Sequence, residues 1–340
     1  MSHLSSARPF IFPACGVILT VAATSAAAQD AYGSRLEGFE YPHEVQIFEI
    51  ETQGSIEEMA FMDIAPIGEA NGQTAILFHG KNFCGATWEG TIAHLTQAGW
   101  RVVAPDQIGF CKSTKPVGYQ YSFDQLASNT AALLDSLEID QATVIGHSMG
   151  GMLAARFAVQ YPDRVERLAL VNPIGLEDWR AKGVSYADID AAYTGQLKTT
   201  AESIRSYQET YYYPAGWDER FDRWVEMAAG PFLGDGAEEW AWAQAKTDEM
   251  VFTQPVIYDF PSIEAQTLLL IGELDTTAPG AARAPSEIAE ALGNYPVLAK
   301  EAEEAIPNAT LVTFPEMGHS PQIEDPAAFH AALDRWLASQ

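Results

Sequence analysis

The stretch Val144-Ile145-Gly146-His147-Ser148-Met149-Gly150-Gly151 decides how this chain of 340 residues is read. It sets a serine between two glycines directly after a β-branched run, the G-x-S-x-G spacing of a nucleophile elbow. In such an elbow a strand ends, the chain turns sharply and a helix begins, so the serine is strained and its hydroxyl exposed. Gly146 and Gly150 follow from sterics, because a Cβ at either position would collide with the facing strand or helix. The flanks fit: Gln141 to Gly146 reads as a short buried strand, and Gly151 to Gln160 as a helix closed by Tyr161-Pro162. A pattern with three fixed positions also arises by chance, so the rest of the chain must supply the partners that a serine nucleophile needs.

Around the elbow the chain alternates. Two amphipathic strands, Glu44 to Glu51 and Ile56 to Ile64, open the domain across the turn Gln53-Gly54-Ser55. Apolar runs follow at Ala75 to Phe78, Val102 to Ala104, Thr143 to Ile145, Leu168 to Val171, Thr267 to Ile271 and Thr310 to Phe314. Between them lie helical patterns such as Phe123 to Leu137 and Ala327 to Leu337. This βαβ alternation predicts an α/β fold with a mostly parallel central sheet flanked by helices, its functional groups in loops beyond the carboxyl ends of the strands. The alternation breaks between Ile174 and Pro261, where tryptophans, tyrosines and phenylalanines crowd among acidic residues. That segment is too long for a plain connection and reads as an inserted helical cap. Most of its rings are expected to form the cap's own small core, and a minority to line an apolar ligand pocket. The resulting division is 29–173 for the first part of the core, 174–261 for the cap and 262–340 for the second part of the core.

Composition narrows the function. The formal net charge of −27 repels nucleic acid and anionic lipid surfaces, and it also serves simple solubility. No Cys or His cluster has zinc spacing and no Gly-rich phosphate loop opens a helix, so neither a metal nor a cofactor is implied. Residues 1–28 read as an export signal, with Arg8 as a weak positive flank, an apolar stretch from Phe10 to Ala23 and cleavage after Ala28. The apolar run is too short and too interrupted, by Pro13 and small residues, to span a membrane. Periplasmic or secreted localisation is the expectation. In an oxidising compartment Cys84 and Cys111, each just beyond a strand, would form either a disulfide or two separate buried thiols.

A serine hydroxyl is a weak nucleophile and needs a base, itself held by a third group. Of the seven histidines, His319 lies just after the last strand, where a base would hang over the sheet edge. His147 is beside the nucleophile and reads as pointing away from it. His94 and His330 fall in helical patterns. For the orienting acid, the turn Gly272-Glu273-Leu274-Asp275 follows a buried strand, and Asp275 is the better placed of its two carboxylates. Asn172, after the preceding strand, is not acidic and drops out as a competitor. The oxyanion of an acyl-transfer intermediate needs preorganised donors. The Met149 N–H at a helix start supplies one, and the loop His79-Gly80-Lys81-Asn82-Phe83 the second, through Lys81 or Asn82. The Lys81 ammonium is read either as solvated or as an attractor for a substrate carboxylate.

Taken together, the chain resembles a serine member of the α/β-hydrolase fold family with a helical cap, over nearly all of the mature sequence. The matching pieces are His79-Gly80, Pro105-Asp106-Gln107-Ile108-Gly109-Phe110, the elbow at Ser148, the Gly272 to Asp275 turn and Gly318-His319, in the family's order Ser, Asp, His. The family's sheet topology implies that the strands before Cys84 and Cys111 lie side by side, which favours a bridge between them. A serine in place of an aspartate nucleophile separates the chain from the haloalkane dehalogenase and epoxide hydrolase branches. The elbow also lacks the Gly-Gly-Ser-Trp-Gly form of proline iminopeptidases. The resemblance implies a cofactor-free hydrolase of a carboxylic ester or related acyl bond in a small apolar molecule. A carbon–carbon bond hydrolase or lactonase would use the same triad, and a ligand-binding sensor would keep it without useful turnover.

Overall fold

A computed structural model describes Met1 and residues 30–339. Apart from Met1, the expected export signal and its cleavage point after Ala28 lie outside the described residues. Eight strands form one sheet: β1 Gln46–Thr52, β2 Ser55–Ile64, β3 Thr74–Phe78, β4 Arg101–Pro105, β5 Ala142–His147, β6 Val165–Val171, β7 Gln266–Gly272 and β8 Ala309–Phe314. Their spatial order is β1-β2-β4-β3-β5-β6-β7-β8. The opening hairpin is antiparallel within itself and β2 runs antiparallel to β4, while every pairing from β4 to β8 is parallel. The hairpin turns at Gln53 and Gly54, both at positive φ (51° and 82°), as a two-residue turn matched to strand twist demands. β4 and β3 are neighbours, so the loops that follow them emerge on one edge.

Eleven helices complete the described residues: α1 Glu89–Gln97, α2 Phe123–Ser136, α3 Met149–Gln160, α4 Ile189–Gln196, α5 Ala201–Tyr207, α6 Asp222–Leu233, α7 Ala237–Thr253, α8 Ser286–Ala289, α9 Tyr295–Ala305, α10 Pro321–Glu324 and α11 Pro326–Ala338. Alternate residues of each inner strand pack into opposite faces, as a sheet buried on both sides requires. Ala75 and Leu77 of β3, with Val102, Ile145, Val171 and Leu270, meet Ile92, Phe329, Leu333 and Trp336 of α1 and α11. Ile76 and Phe78, with Val103, Val144, Leu170 and Leu269, meet Leu126, Leu133, Met152, Phe157 and Leu298 of α2, α3 and α9. The sheet thereby becomes the rigid floor on which the strand-end loops stand.

α4 to α7 lie between β6 and β7 as an inserted helical region over the carboxyl edge. Among the aromatic rings of this region, Tyr213 stacks on Phe221 (centroids 3.7 Å apart) and Tyr193 on Trp242 (4.1 Å), so these pairs serve the insertion's own packing. Tyr186, Tyr207, Tyr212, Phe232, Trp240 and Phe252 instead line the cavity beneath it. One turn, Gln208–Tyr212, is a π-helix continuing from α5. No helix among the described residues is long and apolar enough to cross a membrane.

Candidate active site

Ser148 joins β5 to α3 with φ 57° and ψ −121°, a left-handed backbone that a non-glycine residue adopts only when its surroundings enforce it. The enforcement comes from close packing. A Cβ at Gly146 would run into the carbonyl of Gly150, and one at Gly150 into the carbonyl of Phe78 on β3. α3 therefore approaches the sheet backbone more closely than any side chain permits, and the turn at Ser148 stays sharp. The Ser148 amide donates to Val171 O of β6 at 3.0 Å, which ties the elbow to the neighbouring strand. α3 starts at Met149, two residues before the helical pattern in the sequence. The Met149 N–H is therefore the first of the helix and has no acceptor within it.

His319 stands in the loop after β8, fully buried with Asp275. Its Nδ1 donates to Asp275 Oδ2 at 2.6 Å, so in the neutral imidazole Nε2 is the nitrogen without a proton. That Nε2 is buried and makes no hydrogen bond, so the Ser148 hydroxyl is not yet bonded to it; in substrate-free sites such bonds are commonly long and tighten on binding. His147, the residue before Ser148, links the two loops. Its Nε2 donates to the His319 carbonyl at 2.8 Å, and the two rings lie 5.0 Å apart. Its ring thus faces the histidine loop. Burial, with the adjacent His319, pushes His147 well below the usual histidine range and keeps it neutral.

Asp275 is oriented by three contacts. Its Oδ1 accepts the Thr277 N–H at 2.8 Å, and its Oδ2 accepts both His319 Nδ1 and Asn172 Nδ2, the last at 2.9 Å. Asn172 also accepts the Gly272 N–H at 2.9 Å, and its own backbone sits at φ 36°. The residue set aside in the sequence for lacking a charge is thus one of the groups that fix the carboxylate. The amide was legible, but its partner 103 positions away was not.

The loop after β3 carries the other side of the site. The His79 Nε2 accepts the Gln107 N–H at 3.1 Å, so its Nδ1 carries the proton and donates to Gly80 O at 2.8 Å. That carbonyl also takes the Phe83 N–H, leaving the Lys81 and Asn82 amides without a backbone acceptor. A Cβ on Gly80 would lie 3.1 Å from that of Ser148, so the loop passes directly over the serine. The side chains serve elsewhere. Lys81 Nζ donates to Gln244 Oε1 at 2.6 Å and pairs with Asp248 at 3.0 Å, both on α7, so it is neither solvated nor free for a substrate carboxylate. Asn82 Nδ2 donates to the Tyr212 hydroxyl at 2.9 Å, and the Tyr212 ring stacks on His319 with centroids 4.8 Å apart. The His319 amide donates to Tyr211 O at 3.2 Å. The π-turn thus bridges the loop after β3 and the histidine loop. In the sequence Tyr212 was one aromatic among many.

Cys84 and Cys111 are joined by a disulfide, with Cα atoms 5.8 Å apart. Beside it the buried Asp106 accepts from Gly85 N–H (2.7 Å), Tyr41 hydroxyl (2.7 Å) and Lys112 N–H (3.1 Å), clamping the two loops together. Ser148, Lys81, Asn82, both cysteines and the insertion's rings enclose a cavity of about 670 Å³, of a size for a small organic molecule. His94 and His330 stack on each other (4.2 Å) between α1 and α11, on the other face of the sheet.

A strained serine after a central strand, a buried carboxylate–imidazole pair at later strand ends and a helical insertion above them define a hydrolase of the α/β fold class. The chain belongs to the α/β hydrolase fold family, whose pattern it matches over residues 75–326. A probable hydrolytic enzyme from Pseudomonas aeruginosa PAO1 with a crystal structure is 54% identical, with a TM-score of 0.90 over 92% of this chain and 99% of that one. An esterase from Exiguobacterium antarcticum shares the fold at 20% identity, with a TM-score of 0.62 over 84% of this chain and 97% of that one. The 2-hydroxy-6-oxo-2,4-heptadienoate hydrolase of Pseudomonas putida is 34% identical over 108 residues, a match covering 31% of this chain and 39% of that enzyme.

Proposed function

We propose that this hydrolase cleaves a carboxylic ester or related acyl bond of a small, largely apolar substrate through an acyl-enzyme. The observation that carries the reading is the His319 imidazole, its Nδ1 held by Asp275 and its Nε2 buried without a partner. In this scheme Ser148 Oγ attacks the acyl carbon as Nε2 takes its proton. The negative charge that develops on the acyl oxygen is held by the Met149 N–H and the Lys81 N–H, the amide next to Gly80 over the serine, while Asn82 anchors Tyr212. The imidazolium, stabilised by Asp275, returns the proton to the leaving alcohol. Water, deprotonated by the same nitrogen, then attacks the acyl-enzyme and releases the acid and Ser148.

The likeness to the dienoate hydrolase favours a second reading, hydrolysis of a carbon–carbon bond, and a lactone would serve the same residues as a cyclic ester. Product analysis separates the three. The disulfide supports export to an oxidising compartment, periplasmic or extracellular, because cytosolic thiols are kept reduced. Cell fractionation tests that placement. The chemical proposal is tested with short aryl esters. Ser148→Ala and His319→Ala are each expected to lower kcat at least about a thousandfold with fold retained, and undiminished turnover in either variant overturns the scheme.

A further inference from the structure

We propose that Arg283 is a specificity-determining residue, and that it selects acyl substrates whose end remote from the scissile bond carries a carboxylate. The inference rests on the serine-hydrolase reading above and names the substrate class of the same site. Arg283 lines the cavity together with Ser148 and is solvent-exposed. Among the described residues its side chain makes one hydrogen bond, from Nε to Ser185 O at 2.8 Å, and joins no ion pair. Nη1 and Nη2 are thus left with open donors.

The guanidinium is held on the cavity wall. Besides the bond to Ser185, its Cζ stands 4.9 Å from the centroid of the Phe252 ring, a cation–π contact. A Cβ at Gly280 would run into Nη2, so that glycine, at φ 82°, leaves the room the head occupies. Phe252 and Gly280 themselves line the cavity, which places the head at its wall. The Arg283 amide donates to Gly280 O at 2.8 Å, closing the turn that brings the side chain back over the glycine. An arginine held in this way has less rotamer freedom to lose when a ligand binds. With Nε engaged, Nη1 and Nη2 form the edge of the planar fork that remains, and two parallel N–H donors match the two oxygens of a carboxylate.

The other charged side chains on the cavity, among the described residues, are Lys81, Asp248 and Glu249. Lys81 is taken by Gln244 and Asp248, so this ammonium and this carboxylate offset each other within the wall. Glu249 accepts the Tyr186 hydroxyl at 2.6 Å and pairs with no cation among the described residues. Adjacent residues, Ser185 and Tyr186, therefore hold the guanidinium and this acid at one part of the rim. Glu249 and the chain's net charge of −27 oppose an anion from a distance, where water and salt screen exposed charges. The fork of Arg283 meets it in direct contact, and charge-assisted bidentate bonds are the stronger kind.

The test uses para-nitrophenyl monoesters of linear dicarboxylic acids with four to eight methylenes. Each is paired with the terminal primary amide of the same ester, which keeps the shape and removes the charge. A second series sets the carboxylate on the other side of the scissile bond, in butyrate esters of 4-hydroxyphenylalkanoic acids and of their amides. At pH 7.5 the best acid of at least one series is expected to exceed its amide partner roughly tenfold or more in kcat/KM. Arg283→Gln and Arg283→Met are each expected to bring that ratio to about one or below. Wild-type ratios at or below one throughout both series overturn the proposal without recourse to any variant, as does a preference that survives either substitution. A protein that hydrolyses none of the esters, and whose Ser148 resists a fluorophosphonate, defeats the underlying serine-hydrolase reading instead.

Discussion

Asn172 offers the sharpest test of how the carboxylate is held. In Asn172→Ala the Asp275 carboxylate loses a charge-assisted hydrogen bond of 2.9 Å, and the Gly272 N–H loses its acceptor in a fully buried setting. Hydrogen bonds to charged groups contribute roughly 1.5–3 kcal/mol, and an orphaned buried donor costs about 1–3 kcal/mol. The alanine must also occupy φ 36°, which asparagine tolerates better, at about 1 kcal/mol more. We expect a loss of about 4 kcal/mol in urea unfolding, a large share of a typical domain's stability. Because Asp275 then holds His319 less firmly, kcat for aryl esters should fall roughly tenfold with KM little changed. Asn172→Asp keeps the shape and the Gly272 contact but sets a second carboxylate against Asp275, so a like-charge contact replaces the hydrogen bond that holds it. A loss under 1 kcal/mol in Asn172→Ala, with kcat intact, refutes the reasoning.

Glu324 accepts the Gly318 N–H at 2.7 Å beside the histidine loop, and burial raises its carboxyl to about 7. Its folded value lies above the unfolded one near 4.5, so the stability it contributes is complete below pH 4.5 and is lost as pH rises through 7. Glu324→Gln should be more stable than the parent at pH 8 by up to about 3 kcal/mol and equal to it at pH 4, measured by urea titration at both values. Replacing Cys84 and Cys111 together by serine removes a link across 27 positions and should cost about 3.5 kcal/mol of stability, seen as a lower urea midpoint. If reducing agent leaves the wild-type midpoint unmoved, the link is not closed in solution. Lys81→Met cuts the tether to Gln244 and Asp248 but keeps the backbone amide. Its kcat/KM should drop about tenfold while fluorophosphonate labelling of Ser148 persists, and complete loss of labelling argues against the tether role.

The strands were legible because each is a short apolar run bounded by turn residues, and β3 to β8 differ from their sequence reading by a few residues at the ends. α3 began early because Met149 and Gly150 look like turn residues, whereas the close approach of the helix to Phe78 makes them its first turn. Ser148, Asp275 and His319 stood out because each follows a strand at one edge of a parallel sheet. What the sequence hid were contacts between distant segments. Asn172 reads as a loop asparagine until β6 and β7 lie side by side. Tyr212 reads as one ring among the cap's many until the π-turn brings it over His319.

The central claim is that Ser148 carries the acyl group. Mixing the protein with a slowly released para-nitrophenyl ester, quenching with acid within the burst and mapping peptides by mass spectrometry measures this directly. The account predicts one acyl increment, on the peptide that contains Ser148, absent from Ser148→Ala and accumulating in His319→Ala only as slowly as that variant turns over. A steady-state enzyme with no acylated peptide, or with the acyl group on another residue, contradicts it.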